Sequence, residues 1–182
     1  MAADSTSLDH LVVGIDSCCL DVLEPLLDDL PTLSRLVETG ATGPLTSQIP
    51  PWTPSAWPSL YTGTNPGKHG AFSFLSYDGY DWDLVNATDV REPTIWEILD
   101  SYGLTSVVVN APTTHPPKPF DGALVPGYTA PENPACHPEG LLDDVREAVG
   151  DYRLYGPSSD LDDPAPEYCE LVGQRRDAFT YL

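Results

Sequence analysis

Asp16 and Thr53 have the side-chain types and the sequence surroundings of a metal-assisted nucleophilic centre. Asp16 ends an apolar, β-branched run over residues 11–15, which is typical of a parallel strand buried on both faces. A carboxylate at the carboxyl end of such a strand lies where open α/β sheets bind ligands. A hydroxyl delivered beside it could share a divalent cation, and coordination to that cation would make the hydroxyl a nucleophile.

The proline spacing after Thr53 predicts where the next helix begins. Pro58 would clash with a helix already under way, so we expect the regular turns to begin near Ser55, with Ser55 as the N-cap and Thr53 in the approach loop. The backbone N–H groups of Ala56 and Trp57 would then be unpaired and could bind a phosphate at the positive end of the helix dipole. The alternative is that Thr53 is itself only a helix cap or a loop hydrogen-bonding residue.

The remaining pattern predicts an α/β chain that positions these residues. Apolar residues at helical spacing predict helices over residues 22–30, from Pro31 to its cap Gly40, from near Ser55 to Gly63, over 94–102, over 141–149 and over 166–182. Extended segments or strands are expected over 41–49, 104–110 and 152–155. The helix over 94–102 and the buried strand after it form half of a βαβ crossover.

The stretch 111–138 holds eight prolines, a density that predicts a long loop or the start of an inserted cap. We expect residues 1–182 to form a single incomplete domain, because the chain stops within an apolar helical pattern. Such an ending predicts a missing continuation.

The composition is that of a folded, strongly acidic protein. The chain has 182 residues, 41% of them hydrophobic, and a net charge of −20 from 28 acidic and 8 basic residues. This charge would repel nucleic acid and anionic membranes, and it favours a protein adapted to a high-salt cytoplasm, where ions screen self-repulsion. We expect a cytoplasmic, soluble protein, since neither a signal peptide nor an apolar run of about 18 residues is present.

The remaining residues with reactive side chains have structural interpretations. The four cysteines form no C-x-x-C pair, so we expect reduced thiols. His69 could face the site, but a glycine-flanked histidine more often holds its loop, and His115 is expected to anchor a proline-rich loop. Cys136 and His137 are an isolated pair that we attribute to chance. The acids over residues 78–89 are expected to lie solvated on a hairpin.

Four motifs carry a resemblance to a known family. They are Val13-Gly14-Ile15-Asp16, the Pro-Pro-x-Thr-Pro-x-Ala-Trp run over residues 50–57, the Thr-Gly-Thr-Asn-Pro-Gly-Lys-His-Gly run over 62–70, and the Asn-Ala-Pro-Thr-Thr-His-Pro-Pro run over 110–117. In this order they resemble the type I phosphodiesterase/nucleotide pyrophosphatase family of the alkaline phosphatase superfamily, in its N-terminal part only.

The resemblance implies a three-layer α/β/α fold with a mostly parallel sheet, and hydrolysis of a small-molecule phosphoester through a phosphothreonine at Thr53. It also implies two divalent metal ions, typically zinc, one of them held by Asp16 and Thr53. The family's remaining ligands lie in a downstream half that this chain lacks, so its own turnover is left open. The rival interpretation is a non-catalytic half-protein that binds a partner chain through an apolar sheet edge.

Overall fold

The computed structural model of the chain describes residues 8–156 and 163–182. Its contacts divide the chain into two compact units, Met1–Thr46 and Ser47–Leu182. None of the helices in the described residues has the length and apolar content that crossing a bilayer requires. The expectation of one incomplete domain over 1–182 stays a prediction.

The first unit is helical after Asp16. Its elements in chain order are α1 (Leu20–Leu23), a 3₁₀ helix (Glu24–Asp29) and α2 (Pro31–Thr39). The single helix expected over 22–30 is therefore split, because Pro25 lacks the N–H that a continuous helix would use and its ring crowds the preceding turn. The helix from Pro31 to its cap Gly40 is confirmed, since proline in the first turn sacrifices no hydrogen bond.

The apolar run over residues 11–15 is not a strand, so the expectation of a buried parallel strand before Asp16 is wrong. No described segment forms a β ladder with it. Leu11, Val12 and Val13 expose 71%, 78% and 69% of their surface. Branched apolar residues favour a strand only where a neighbouring strand and a packed face receive them. Residues 41–49, expected to be extended, carry no strand for the same reason.

The second unit begins with two helices, α3 (Thr53–Thr62) and α4 (Pro66–His69). The end of α3 at Gly63 is confirmed. Gly63 adopts φ 66°, a left-handed conformation that a residue without Cβ reaches at no steric cost, and its N–H donates to the Ser59 carbonyl at 3.1 Å.

An antiparallel hairpin follows α4. It consists of β1 (Leu75–Asp78) and β2 (Asp81–Leu84), with Tyr77 opposite Trp82 and Asp78 opposite Asp81. The alternation of aromatic and acidic residues therefore sorts them onto opposite faces. The expectation of solvated acids on a hairpin is confirmed for Asp78, Asp81 and Asp83, which are exposed on the two strands. It is wrong for Asp89, which lies beyond the hairpin and whose carboxylate accepts from the Ser76 hydroxyl and the Asn86 N–H.

A parallel strand pair forms the centre of the second unit. After α5 (Ile95–Ser101), β3 (Ser106–Ala111) pairs in parallel with β4 (Gly122–Pro126). The expected helix and strand are confirmed, but the strand is only partly buried, since Val107 is 51% exposed. The expectation that 111–138 holds no regular structure is wrong where β4 lies. Pro126 is the last residue of that strand, where the missing N–H no longer interrupts the ladder.

Helices cover both faces of this pair. Leu124 packs in a cluster with Tyr61 of α3 and Trp96 of α5. Its neighbour Val125 packs on the opposite face with α6 (Leu141–Val149) and α7 (Ala165–Tyr181), both expected helices. The α/β class is thus confirmed, whereas the full three-layer fold with a missing C-terminal half stays a prediction.

The strand expected over 152–155 is wrong. This segment is irregular, although Tyr152 is fully buried and Leu154 is 5% exposed. The apolar residues of this segment enter the core from a loop. A loop can bury side chains in this way without a partner strand.

Candidate active site around Thr53

Helix α3 begins at Thr53, so the expectation that Ser55 is the N-cap is wrong. Trp52 is the N-cap, with extended backbone, and Pro54 and Ser55 belong to the first turn. Pro54 is tolerated there because first-turn N–H groups have no helical acceptor. Pro58 lies inside the helix and is fully buried, so packing favours the continuous helix despite the hydrogen bond that proline removes.

The earlier helix start changes the expected phosphate cradle. The N–H groups of Ser55 and Ala56 both donate to the Trp52 carbonyl, at 3.0 and 2.8 Å. The expectation that the N–H of Ala56 is unpaired is therefore wrong. A role for Ala56 and Trp57 in binding phosphate stays a prediction, and for Ala56 it requires this helical hydrogen bond to open or to be shared.

The structure places the two proposed ligands in different units. Thr53 is half-buried at the first residue of α3, in the second unit. Asp16 is exposed in the first unit, and the Ser17 hydroxyl donates to its Oδ2 at 3.4 Å. Their convergence on one metal ion stays a prediction.

Three hydroxyl groups lie along one face of α3, on Ser55, Ser59 and Thr62, and the sequence reasoning missed the last two. Each donates back to a carbonyl of its own helix or approach segment: Ser55 to Pro50 at 2.6 Å, Ser59 to Ser55 at 2.8 Å and Thr62 to Pro58 at 2.6 Å. Residues spaced four and then three apart share a helix face, so this hydroxyl stripe was visible as a pattern in the sequence.

The approach segment is tied to the first turn through Ser55, which is fully buried. Its Oγ also lies 3.0 Å from the Trp52 carbonyl and accepts from Gln48 Nε2 at 3.2 Å. The same amide nitrogen donates to the Pro50 carbonyl at 2.9 Å. These bonds hold the residues before Thr53 against the helix that Thr53 begins.

His69 holds the loop after α4, as expected, and it also contacts α3. It is fully buried; its Nδ1 accepts the Ala71 N–H at 3.2 Å and its Nε2 lies 2.9 Å from Ser59 Oγ. Burial lowers the pKa of His69, while the Ser55 backbone and Glu92 act in the opposite direction. The imidazole is therefore neutral at neutral pH.

The motif over residues 110–117 packs against the same helix. The Tyr61 hydroxyl of α3 donates to the Thr113 carbonyl at 3.1 Å, and the Thr113 N–H donates to the Tyr128 carbonyl at 3.0 Å. Burial raises the pKa of Tyr61, with the charge of Glu97 adding to the effect, so the hydroxyl keeps its proton and donates. The fold thus brings the motif over 110–117 into contact with the helix that Thr53 begins.

A row of aromatic rings runs from the residue before Thr53. Trp52 lies 6.5 Å from Phe74, Phe74 lies 6.2 Å from Tyr128, and Tyr128 lies 5.9 Å from Tyr155, measured between ring centroids. The last two pairs are edge-to-face, a favourable arrangement of ring quadrupoles. Trp52 and Tyr128 remain about half exposed, at 49% and 50%, so the row presents apolar surface to solvent.

His137, His115 and the half-buried Cys136 lie away from Thr53 in the sequence and have structural surroundings. His137 Nε2 bonds the Phe120 carbonyl at 2.8 Å and its ring packs on that of Phe120. The His115 carbonyl accepts the Ala87 N–H at 2.7 Å, but this is a backbone contact and the ring Nδ1 is buried without a hydrogen-bond partner among the described residues, so a loop-anchoring role for the His115 side chain stays a prediction. Burial raises the pKa of Cys136 to about 11, so its thiol is protonated at neutral pH.

The described residues do not complete a metal centre. Across 8–156 and 163–182, no three His, Cys, Asp or Glu side chains are grouped so that they could hold an ion. Asp16 and Thr53 offer suitable oxygen donors, but a catalytic zinc ion usually takes three protein ligands. These two residues alone therefore do not fit a zinc site.

Comparison with known proteins assigns the chain to a family. The model of the type I phosphodiesterase/nucleotide pyrophosphatase family matches residues 10–174, which include all four sequence motifs and both units. No curated protein and no solved structure matched the chain. Since the match covers most of the sequence, the chain belongs to the type I phosphodiesterase/nucleotide pyrophosphatase family.

Proposed function

We propose that this chain is a phosphoester hydrolase of the phosphodiesterase/pyrophosphatase type, with Thr53 as its nucleophile. The observation that carries the proposal is the family match over residues 10–174. The position of Thr53 supports it: the residue is half-buried at the first position of α3, where the helix dipole favours a phosphate anion.

The proposed reaction has two displacements. The Thr53 hydroxyl oxygen attacks phosphorus, the bond from phosphorus to the leaving alcohol breaks, and the hydroxyl proton ends on that alcohol. Water then attacks the phosphothreonine, the bond from phosphorus to Thr53 breaks, and the threonine hydroxyl is restored with release of a phosphomonoester. Alignment of attacking and leaving oxygens, rather than covalent chemistry by other residues, is what phosphoryl transfer demands of a protein.

The metal and the phosphate contacts are part of the same proposal. Divalent ions, with zinc as the first choice, would bind through Asp16, Thr53 and ligands outside this pair. Ala56 and Trp57 at the start of α3 would contribute backbone dipoles toward phosphate. The substrate is proposed to be a small phosphoester. A partner chain has no support in the described residues, and we do not propose one.

The test is hydrolysis of a chromogenic phosphodiester by metal-loaded protein. Thr53→Ala should lower kcat by at least about 1,000-fold, because removal of a nucleophile leaves only binding and dipole effects. Thr53→Ser should keep part of the activity. Thr62→Ala is the matched control, since it removes a threonine hydroxyl at the other end of the same helix, and it should stay within about threefold of wild type.

Two further measurements sharpen the assay. Chelation should abolish turnover and zinc should restore it, while Asp16→Asn should raise the zinc concentration required and the exposed control Asp21→Asn should not. Acid quenching during turnover should trap on Thr53 the phosphoryl group that still carries the second alcohol of the substrate. Turnover by Thr53→Ala at the wild-type rate would refute the proposal.

A further inference from the structure

The nucleophile helix and the loop after α4 are joined by a chain of buried, directional hydrogen bonds that begins at His69. The backbone of His69 is fixed at the end of α4, where its carbonyl accepts the Arg91 N–H at 2.9 Å and its side chain is fully buried. No exposed route to water competes for the ring nitrogens, so their partners inside the protein decide the tautomer.

The partners assign one tautomer. Because the Ala71 N–H points at Nδ1, that nitrogen must be the acceptor and the proton must reside on Nε2. Nε2 then donates to Ser59 Oγ at 2.9 Å, and the Ser59 hydroxyl is left to donate to the Ser55 carbonyl at 2.8 Å. The Ser55 backbone also hydrogen-bonds the ring directly. This set of bonds, here called the relay, runs from the loop into α3.

The relay ends in the turn that carries Thr53. Ser55 bonds the Pro50 carbonyl and lies within reach of the Trp52 carbonyl, so it links α3 to the segment before the nucleophile. Side-chain support is needed here because Pro58 supplies no N–H to the carbonyl of Pro54. The first turn is therefore short of backbone hydrogen bonds where Thr53 must be held.

We propose that His69 is a positioning residue for Thr53, acting through Ser59 and Ser55 on the first turn of α3. This inference rests on the proposed function in taking Thr53 as the nucleophile. It also makes the position of Thr53 depend on pH. A second proton on the ring would bind to Nδ1. The Nδ1–H and the Ala71 N–H would then both be donors and would repel each other, so the ring would move and its bond to Ser59 would break.

The sign of the pH effect follows from the environment of the ring. Burial disfavours the charged form, Glu92 opposes this effect electrostatically, and Arg91 lies over the neighbouring Gly70 with its Nε close to that glycine. The pKa of His69 is thus lower in the folded than in the unfolded protein. The stabilising contribution is complete above the unfolded pKa of about 6.5 and declines as the pH falls through the folded value.

Kinetics against pH provide the first test. Ser59→Ala and His69→Asn should lower kcat about 10- to 100-fold with KM changed less than about threefold, because a small displacement of a nucleophile affects the reaction more than binding. His69→Gln, whose amide can still donate to Ser59, should recover part of kcat and lose the decline on the acid side. His137→Gln, a histidine bonded to a backbone carbonyl away from α3, should match wild type.

Nuclear magnetic resonance tests the same inference without activity. The His69 ring should show a protonated Nε2 and an unprotonated Nδ1 at neutral pH. The Thr53 methyl resonance should shift in Ser59→Ala and His69→Asn but not in His137→Gln.

Either readout can overturn the proposal. The opposite tautomer, an unmoved Thr53 methyl, or lower melting temperatures with kcat unchanged would show that His69 only stabilises its loop. If wild-type protein hydrolyses no phosphodiester, the proposed function fails, and the resonance of Thr53 still decides whether His69 positions it.

Discussion

At the scale of single residues, Gly127 shows how tightly the loop after β3 is packed. A Cβ on Gly127 would lie 2.1 Å from the Asn110 carbonyl oxygen, a contact that backbone atoms cannot relieve by rotation. Asn110 is itself held by the Tyr152 hydroxyl, which donates to its Oδ1. The motif over 110–117 therefore needs glycine where the chain returns beside it at the end of β4.

We predict that Gly127→Ala lowers the free energy of unfolding by at least about 3 kcal/mol, because a buried overlap forces the backbone to move. The control Gly173→Ala lies in α7 with no heavy atom within 4 Å of its Cβ, and it should stabilise by about 0.5–1 kcal/mol. Urea denaturation followed by circular dichroism measures both. Equal midpoints for the two variants would contradict the packing described here.

The sequence identified Thr53 but misplaced the groups around it. A hydroxyl followed by prolines was readable, and the family match includes it. The link between Ser59 and His69 was not readable, because it depends on a contact between two helices joined by a turn. Local rules weighed Pro58 as a helix breaker, whereas burial of its ring in the folded protein outweighs the lost hydrogen bond.

At the scale of elements, α5 shows how side chains can define a helix start. Thr94 Oγ1 accepts the Glu97 N–H at 3.3 Å, and the Glu97 carboxylate accepts the Thr94 N–H at 2.8 Å. Lys118 adds an ion pair to the same carboxylate at 2.9 Å. This capping box satisfies two donors that a helix start would otherwise leave unpaired.

We predict that Thr94→Ala destabilises the protein by about 1 kcal/mol, within the range measured for the loss of an N-cap. Thr94→Ser should destabilise it by only a few tenths of about 1 kcal/mol, because serine keeps the acceptor oxygen. Chemical denaturation at constant m-value measures the difference. A Thr94→Ala variant as stable as the serine variant would show that α5 is held by Trp96 packing instead of by its cap.

Helices were more predictable as elements than strands. The helices from Pro31 and over 141–149 carry their own period and end signals, so their positions follow from neighbouring residues. The run over 11–15 and the run over 106–111 look alike in sequence, yet only the second forms a strand, because only it has β4 beside it. The strand β4 was missed because the prolines around it outweighed its apolar core.

At the scale of the whole molecule, the main feature is the large negative net charge. A net charge of −20 on 182 residues, with only 8 basic side chains to offset it, repels itself over the entire surface. Few ion pairs are available in the described residues, and Lys118 with Glu97 is the one at 2.9 Å between separate elements. Screening by salt must therefore replace pairing within the protein.

We predict that the melting temperature rises steadily between about 0.1 M and 1 M KCl, as the screening length falls from about 10 Å to about 3 Å. Sucrose at matched osmotic strength is the control, because it stabilises proteins by exclusion from their surface without screening charge. It should raise the melting temperature less than KCl does. Scanning calorimetry measures the transition. A melting temperature that does not respond to KCl would remove the argument for a high-salt environment.

The sequence by itself determined the family, the acidic character, the helices and the residue proposed as nucleophile, because these depend on composition or on neighbours within a few positions. Tertiary structure decided which apolar runs became strands, where α3 begins, and that His69 reaches Ser59. Those outcomes depend on residues distant in the chain. Strand pairing, burial of prolines and the hydrogen-bond relay stabilise the protein only when these distant residues are in contact.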